Sequence, residues 1–254
     1  MERRVVFKFG SGILTYQDRV ELDSEQLDKL VRSVANLRLA GWQCVIVSSG
    51  AVAAGLPCFG LTERPTDVAT LQACAAVGQT RLMQAYEVLF RNFDLHVGQL
   101  LLTHGDLRGP HRSENVRNTI EKLLAFENII PVINENDSVA VDELRYGDND
   151  LLSADVSVLI EAEQLVLLTT VDGLLPPDSD QIVTEVTDIT QVFNFATAEK
   201  GSTSVGGMAS KLRAVERATQ AGIETYIANG RRPEQLDQLI QGNGLGTRFH
   251  RRSA

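Results

Sequence analysis

A lysine closing a short apolar run, in Lys8-Phe9-Gly10-Ser11-Gly12, is the first place where this sequence could do chemistry. Glycine lets a backbone approach a ligand closely, and the exposed N–H groups of such turns form anion-binding concavities. A lysine at the end of a strand adds a point charge suited to phosphate. Taken alone, a Lys-x-Gly turn is more often only a turn. A second group, Val47-Ser48-Ser49-Gly50-Ala51-Val52-Ala53-Ala54-Gly55, follows another apolar run. It reads in two ways: as a helix start that offers free N–H donors to an anion, or as a close helix–strand crossing that demands small side chains.

The third group, Asn134-Glu135-Asn136-Asp137, is placed just after the run Ile129-Ile130-Pro131-Val132-Ile133. Polar residues at the end of a buried strand carry a desolvation cost unless they bind something or each other. Close behind, Gly147-Asp148-Asn149-Asp150 opens a helix, and capping accounts for one of its polar side chains but hardly for all three. Together these carboxylates and amides can hold an ammonium group and orient lysines or a metal. The fourth group, Ser204-Val205-Gly206-Gly207-Met208-Ala209-Ser210-Lys211, sets paired glycines before a lysine one turn into a helix, an arrangement that suits a polyphosphate. Neither the GxxxxGK[ST] spacing nor the HRD and DFG signatures occur. His96, His104, His111 and His250 share no metal-ligand spacing and read as structural or surface residues, and Glu63-Arg64 reads as solvated charge.

These groups need elements to position them. Strands are expected at Arg4–Phe9, Gln43–Ser48, His96–Leu102, Ile129–Ile133, Gln164–Thr169 and Glu224–Ile227, each a near-continuous Val/Ile/Leu run of the kind buried on both faces. Leu27, Leu30, Val31, Val34 and Leu37 recur at helical spacing, with Asp23 and Gln26 as a capping box and Gly41 as the stop. Further helices are expected over 67–92, 111–127, 149–162, 207–221 and 233–241. Irregular stretches are expected at 56–67, 104–113 and 176–205. This rhythm gives an α/β fold with an open, mainly parallel sheet between helices, whose ligands sit at the carboxyl ends of the strands. One sheet is expected to run across a soft division near residue 163.

Composition bounds the alternatives. With 254 residues, 43% hydrophobic and 22% charged, the chain suits one large α/β domain. A net charge of −9 argues against a protein built to grip nucleic acid. Three cysteines, Cys44, Cys58 and Cys74, form no CxxC pair, so neither a disulfide framework nor a zinc site is expected. The opening residues do not read as a signal peptide, no run approaches the length of a membrane helix, and a cytoplasmic protein is expected.

The order and spacing of Lys8-x-Gly10-Ser11, Val47 to Gly55, Ala75-Ala76-Val77-Gly78-Gln79, Gly98 to Thr103, Pro131 to Asp137, Gly147 to Asp150 and Gly206-Gly207-Met208-x-x-Lys211 resemble the glutamate 5-kinases of the amino acid kinase family. The resemblance runs from residue 4 to Phe249. It implies a three-layer αβα sandwich, with the amino acid held by roughly residues 1–163 and ATP by 164–254 of a single domain. It implies phosphorylation of the γ-carboxylate of L-glutamate by ATP with Mg²⁺, the first step of proline synthesis, with proline as a possible inhibitor and a homo-oligomer (dimer or tetramer). Longer relatives continue into a PUA domain, so a short form is expected. By matching motifs, Lys8, Lys211 and Asp150 would be catalytic, and Ser49, Gly50, Ala51, Asn134, Asp137, Asp148 and Asn149 would bind glutamate. Lys8, Gly10, Thr169, Thr170, Val205, Gly206, Gly207, Met208, Ala209, Ser210 and Lys211 would bind ATP, while metal ligands are left open. Two departures fall on the nucleotide side: Thr169-Thr170 where many relatives have Thr-Asp, and Ser204-Val205 where Gly-Thr is usual.

Overall fold

The computed structural model describes residues 3–140, 149–177, 179, 181–197 and 207–252; Asp148, Val205 and Gly206, expected at the site, lie outside the described residues. Its centre is β1 (Arg4–Phe9), six residues with no exposed position. β1 pairs in parallel with β2 (Gln43–Ser48) on one side and β5 (Gln164–Thr169) on the other. β4 (Ile129–Glu135) and β3 (His96–Leu102) extend the sheet beyond β2. Beyond β5 follow β7 (Glu224–Asn229), the antiparallel β8 (Thr247–Phe249) and the two-residue β6 (Glu185–Val186). The order β3-β4-β2-β1-β5-β7-β8-β6 is one mainly parallel sheet, continuous across residue 163.

Strand periodicity assigns the layers. Val5, Phe7 and Phe9 share one core with Leu27, Leu30 and Val34 of α2 (Ser24–Leu39), Tyr86 and Phe90 of α4 (Val68–Phe90), and Leu239 of α9 (Leu236–Ile240). Val6 shares the opposite core with Val116 of α6 (Pro110–Leu124), Leu152 and Val156 of α7 (Asn149–Leu159), and Leu212 and Val215 of α8 (Met208–Gln220). Successive side chains on a strand point to opposite faces, so Lys8, two residues after Val6, turns toward α7 and α8. Both faces of the sheet are covered by helices, the three-layer αβα sandwich the sequence implied.

Several boundaries differ from expectation. Asn134 and Glu135 are the last two residues of β4, not a loop after it, because the parallel pairing with β3 continues through Leu102–Glu135. The segment 104–113 is helical: α5 (His104–Arg108) is capped by Asp106 accepting from the Thr103 N–H at 2.9 Å, and Pro110 starts α6. At α2, Asp23 accepts from the Gln26 N–H at 3.0 Å, but the Gln26 side chain donates to the Gly230 carbonyl at 2.6 Å, so only half of the capping box forms. Gly41 ends that helix region at φ +92°, a conformation open to glycine.

Candidate active site

Three parts of the chain meet around one carboxylate. Asp150, in the first turn of α7, has no exposed surface. Its Oδ1 lies 2.7 Å from Lys8 Nζ at the end of β1, and its Oδ2 lies 3.3 Å from Lys211 Nζ in the first turn of α8. Ser210 Oγ donates to the same Oδ2 at 3.3 Å. Both lysines are buried as well. Burial pushes the Asp150 carboxyl upward, but the two ammonium groups outweigh it and hold it below its ordinary value. Two cations on one anion leave a net positive charge in a low-dielectric site, which suits a phosphoryl group in transfer. Gly10 makes room for this: a Cβ there would come within 3.3 Å of Lys8 Nζ.

Beside the lysines lies a wall of amides. Asn149, the residue before Asp150, donates Nδ2 to the Ser48 carbonyl at 3.1 Å, to Ser49 Oγ at 3.0 Å and to Asn134 Oδ1 at 3.0 Å. The ends of β2 and β4 and the start of α7 are thus tied together. Gly50, at φ +102°, turns the chain into the five-residue helix α3 (Ala51–Gly55). The small residues here serve a close crossing, but of helix on helix rather than helix on strand. A Cβ on Gly55 would sit 2.0 Å from the Cys74 carbonyl oxygen, and one on Gly78 would sit 1.8 Å from that of Ala51. The crossing seats α4 against α3 and brings Gln79 to the end of β4, where its Oε1 accepts from Asn134 Nδ2 at 2.8 Å.

Asp137 lies in the turn after β4, anchored by the Asn136 N–H donating to the Leu102 carbonyl at 2.8 Å. Arg64, expected as a solvated charge, is exposed, and it is also electrostatically coupled to Asp137. Burial pulls the Arg64 guanidinium down from its ordinary pKa, and the Asp137 carboxylate pushes it back up. The segment before α4 therefore reaches over the Asp137 turn, and Gln72 Nε2 also donates to the Ser138 carbonyl at 3.4 Å.

On the other side, Gly207 caps α8, Met208 and Ser210 are buried, and Ala209 is exposed. Thr169 ends β5, and Thr170 is exposed against Gly12, where a Cβ would come within 3.2 Å of its Cγ2. Asp172 stands two residues on, accepting from Asn229 Nδ2 at 2.8 Å. These residues, with Gly10, line the carboxyl ends of β1, β5 and β7. These strand ends lie where the strand order reverses about β1, the place at which such sheets bind ligands.

Among the described residues, no group of three or more His, Cys, Asp or Glu side chains could hold a metal ion. No described helix is long and apolar enough to cross a membrane. Sequence reasoning did not assign Gln79 or Arg64 to the site. A lone glutamine after four small residues of a helix gave a signal for the first, and nothing local marked the second.

The sequence profile of the amino acid kinase family matches residues 3–229. This chain belongs to that family. The amino acid kinase relatives most like it include a glutamate 5-kinase from Citrifermentans bemidjiense, 45% identical over 97% of this chain and 67% of that protein. Another, from Symbiobacterium thermophilum, is 42% identical over 98% of this chain and 96% of its own length. Among solved structures, a carbamate kinase from Giardia lamblia bound to AMP-PNP superposes with a TM-score of 0.66 at 16% identity, covering 99% of both chains. That likeness shows the amino acid kinase fold, with its helices on both faces of a mainly parallel sheet.

Proposed function

We propose that this chain transfers the γ-phosphoryl group of ATP to the γ-carboxylate of L-glutamate, giving γ-glutamyl phosphate and ADP, the first step of proline synthesis. The observation that carries the reading is the buried Lys8–Asp150–Lys211 group opening beside an amide wall. Support comes from the relatives named glutamate 5-kinase at 42–45% identity.

A γ-carboxylate has a pKa of about 4.3 and is already ionised at neutral pH, so the reaction needs no general base. A site without a catalytic histidine follows. The task is alignment of two anions and neutralisation of their repulsion. Lys8 and Lys211 do this from either side of the phosphoryl group, and Asp150 holds both ammonium groups at fixed positions. Asp137 receives the substrate ammonium, while Ser49, Gly50, Ala51, Asn134 and Asn149 hold the amino acid. Gly10, Thr169, Thr170 and Gly207 to Lys211 hold the nucleotide. The amino-acid side falls before about residue 163 and the nucleotide side after it. Both oxygens of Asp150 face lysines, so Mg²⁺ would arrive on the ATP oxygens with few protein ligands; it supplies charge neutralisation there.

The resemblance extends the reading to a cytoplasmic homo-oligomer inhibited by proline, which sedimentation and a proline titration check. The deciding experiment traps the acyl phosphate as hydroxamate with hydroxylamine, ATP, Mg²⁺ and glutamate, with N-acetylglutamate and aspartate as controls. Product above a Lys211→Ala control is expected with glutamate alone. Its absence from the native chain would sink the proposal.

A further inference from the structure

Two buried polar atoms in the amide wall have no hydrogen-bond partner among the described residues: Gln79 Nε2 and Asn149 Oδ1. Both residues are only 8% exposed, so water does not readily make up the loss. Buried polar groups are nearly always paired, and one that is not calls for a reason. Here the two orphans have opposite character, a donor and an acceptor, and they belong to one connected chain of side chains.

The orientation of each amide follows from backbone groups whose polarity is fixed. The Glu135 N–H donates to Asn134 Oδ1 at 2.8 Å, so Asn134 must turn its Nδ2 toward Gln79. Gln79 answers with Oε1 at 2.8 Å, which leaves its own Nε2 facing away. At the other end the Ser48 carbonyl accepts from Asn149 Nδ2 at 3.1 Å, which leaves Asn149 Oδ1 bare. Turning any one amide over would set donor against donor or acceptor against acceptor. The chain therefore ends in a donor on α4 and an acceptor on α7, held at a set separation by Asn134.

We infer that Gln79 is a further substrate-binding residue, donating from Nε2 to the α-carboxylate of the amino acid while Asn149 Oδ1 accepts from its ammonium group. This deepens the proposed reading and rests on it for the identity of the amino acid. The reacting carboxylate must lie at Lys8, Asp150 and Lys211, and Asn149 adjoins Asp150 in sequence. Gln79 is two amides further from that centre and so meets the opposite end of the substrate. An N–H donor is complementary to a carboxylate and useless to an ammonium group. A rigid donor–acceptor pair thereby measures the amine and carboxylate of an α-amino acid, and an acylated or deaminated acid satisfies only half of it.

Gln79→Glu is the informative variant, because a glutamate there can still accept from Asn134 Nδ2 while presenting an acceptor in place of the donor. Two readouts are taken: the rise in Tm on adding glutamate without ATP, and the separate KM values for glutamate and ATP. Losing a charge-assisted hydrogen bond should raise the glutamate KM about 10- to 100-fold, with the glutamate-dependent Tm rise reduced to match. The ATP KM should stay near that of the native chain, whereas the ligand-free Tm should fall in Gln79→Glu, which buries a carboxylate, and in Gln79→Leu, which should also lose glutamate binding. An undiminished glutamate response in Gln79→Glu overturns the inference, as does an equal loss for glutamate and ATP. Because the Tm response needs no turnover, a native chain that binds glutamate through Gln79 but forms no hydroxamate would refute the proposed reaction and leave this assignment standing.

Discussion

Lys8 Nζ and Asp150 Oδ1 meet at 2.7 Å in the interior, and a second lysine, Lys211, shares the same carboxylate. The arrangement is asymmetric: removing one lysine leaves a neutral pair, whereas removing the carboxylate leaves two buried cations.

That asymmetry predicts opposite outcomes for the three residues. Lys8→Met and Lys211→Met should fold and lose about 10²- to 10³-fold in kcat, the usual cost of losing one electrostatic stabiliser of a transition state. Asp150→Asn should lose activity and also about 3–5 kcal/mol of stability, because its partners are stranded. Urea unfolding beside steady-state kinetics separates these cases, and an Asp150→Asn protein as stable as either lysine variant would contradict the ion group.

The same carboxylate sets an acid limit. Its folded pKa lies below the unfolded value of about 3.9, so in acid the unfolded chain takes up the proton first. The stability it contributes is complete above the unfolded value and is lost as pH falls through the folded one. The pH dependence of unfolding below about pH 4 should therefore be shallower in Asp150→Asn than in the native chain. Superimposable slopes would show that Asp150 does not titrate differently on folding.

Gly78→Ala should separate α3 from α4, since its Cβ would overlap the Ala51 carbonyl oxygen. Backbone overlap cannot be relieved by a rotamer change, so a loss of about 3 kcal/mol is expected, at the upper end for overpacking. Because Gly50 and Ala51 move with α3, the glutamate KM should rise more than the ATP KM. A Gly78→Ala protein of native Tm would mean that the crossing can open freely.

Asp137→Asn should lower kcat/KM for glutamate about 10- to 100-fold, as a charge-assisted hydrogen bond to the ammonium becomes a neutral one. Glutarate, which lacks the amine, should be a poor substrate for both proteins and lose little further. Equal losses for the two acids would assign Asp137 to holding Arg64 instead of the substrate.

Thr170→Asp should be tolerated, because Thr170 is exposed at the end of β5, and it should alter the ATP KM more than the glutamate KM. Asp172 and Asn229 already place a carboxylate at that edge, held by a 2.8 Å hydrogen bond. A large rise in the glutamate KM alone would move Thr170 to the other side of the cleft.

Six strands were legible as apolar runs, and β1, β2, β3 and β5 begin and end where those runs do. β1, β2 and β5 are buried almost throughout, whereas β3 is an edge strand with exposed positions, and the short β6 and β8 carry no such run. β4 outlasted its run because its pairing with β3 continues through Asn134 and Glu135 while the Asn134 side chain joins the amide wall, a combination that hydrophobicity does not signal. Helix α5 was hidden by Gly109 and Pro110, which read as breakers but here separate it from the first turn of α6, the helix expected over 111–127. Lys8, Asp150 and Lys211 could each be named from local motifs. Their meeting at one point depends on the placing of β1 between β2 and β5, which no local pattern contains. The coupling of Arg64 to Asp137 escaped notice because it joins an exposed arginine to a turn more than seventy residues away.

The placing of β1 at the centre of the sheet also bears on how the chain is made. β1 leaves the ribosome before either of its partners, and the second of them, β5, is not complete until residue 169 has been added. At about 5–20 residues per second, roughly ten seconds or more pass with one side of Arg-Val-Val-Phe-Lys-Phe unpaired. Such an apolar segment is a template for unwanted pairing, and charge within it is the usual protection. Arg4 and Lys8 are the charges this segment carries at that stage, when Asp150 and Lys211 do not yet exist to draw the Lys8 ammonium group inward.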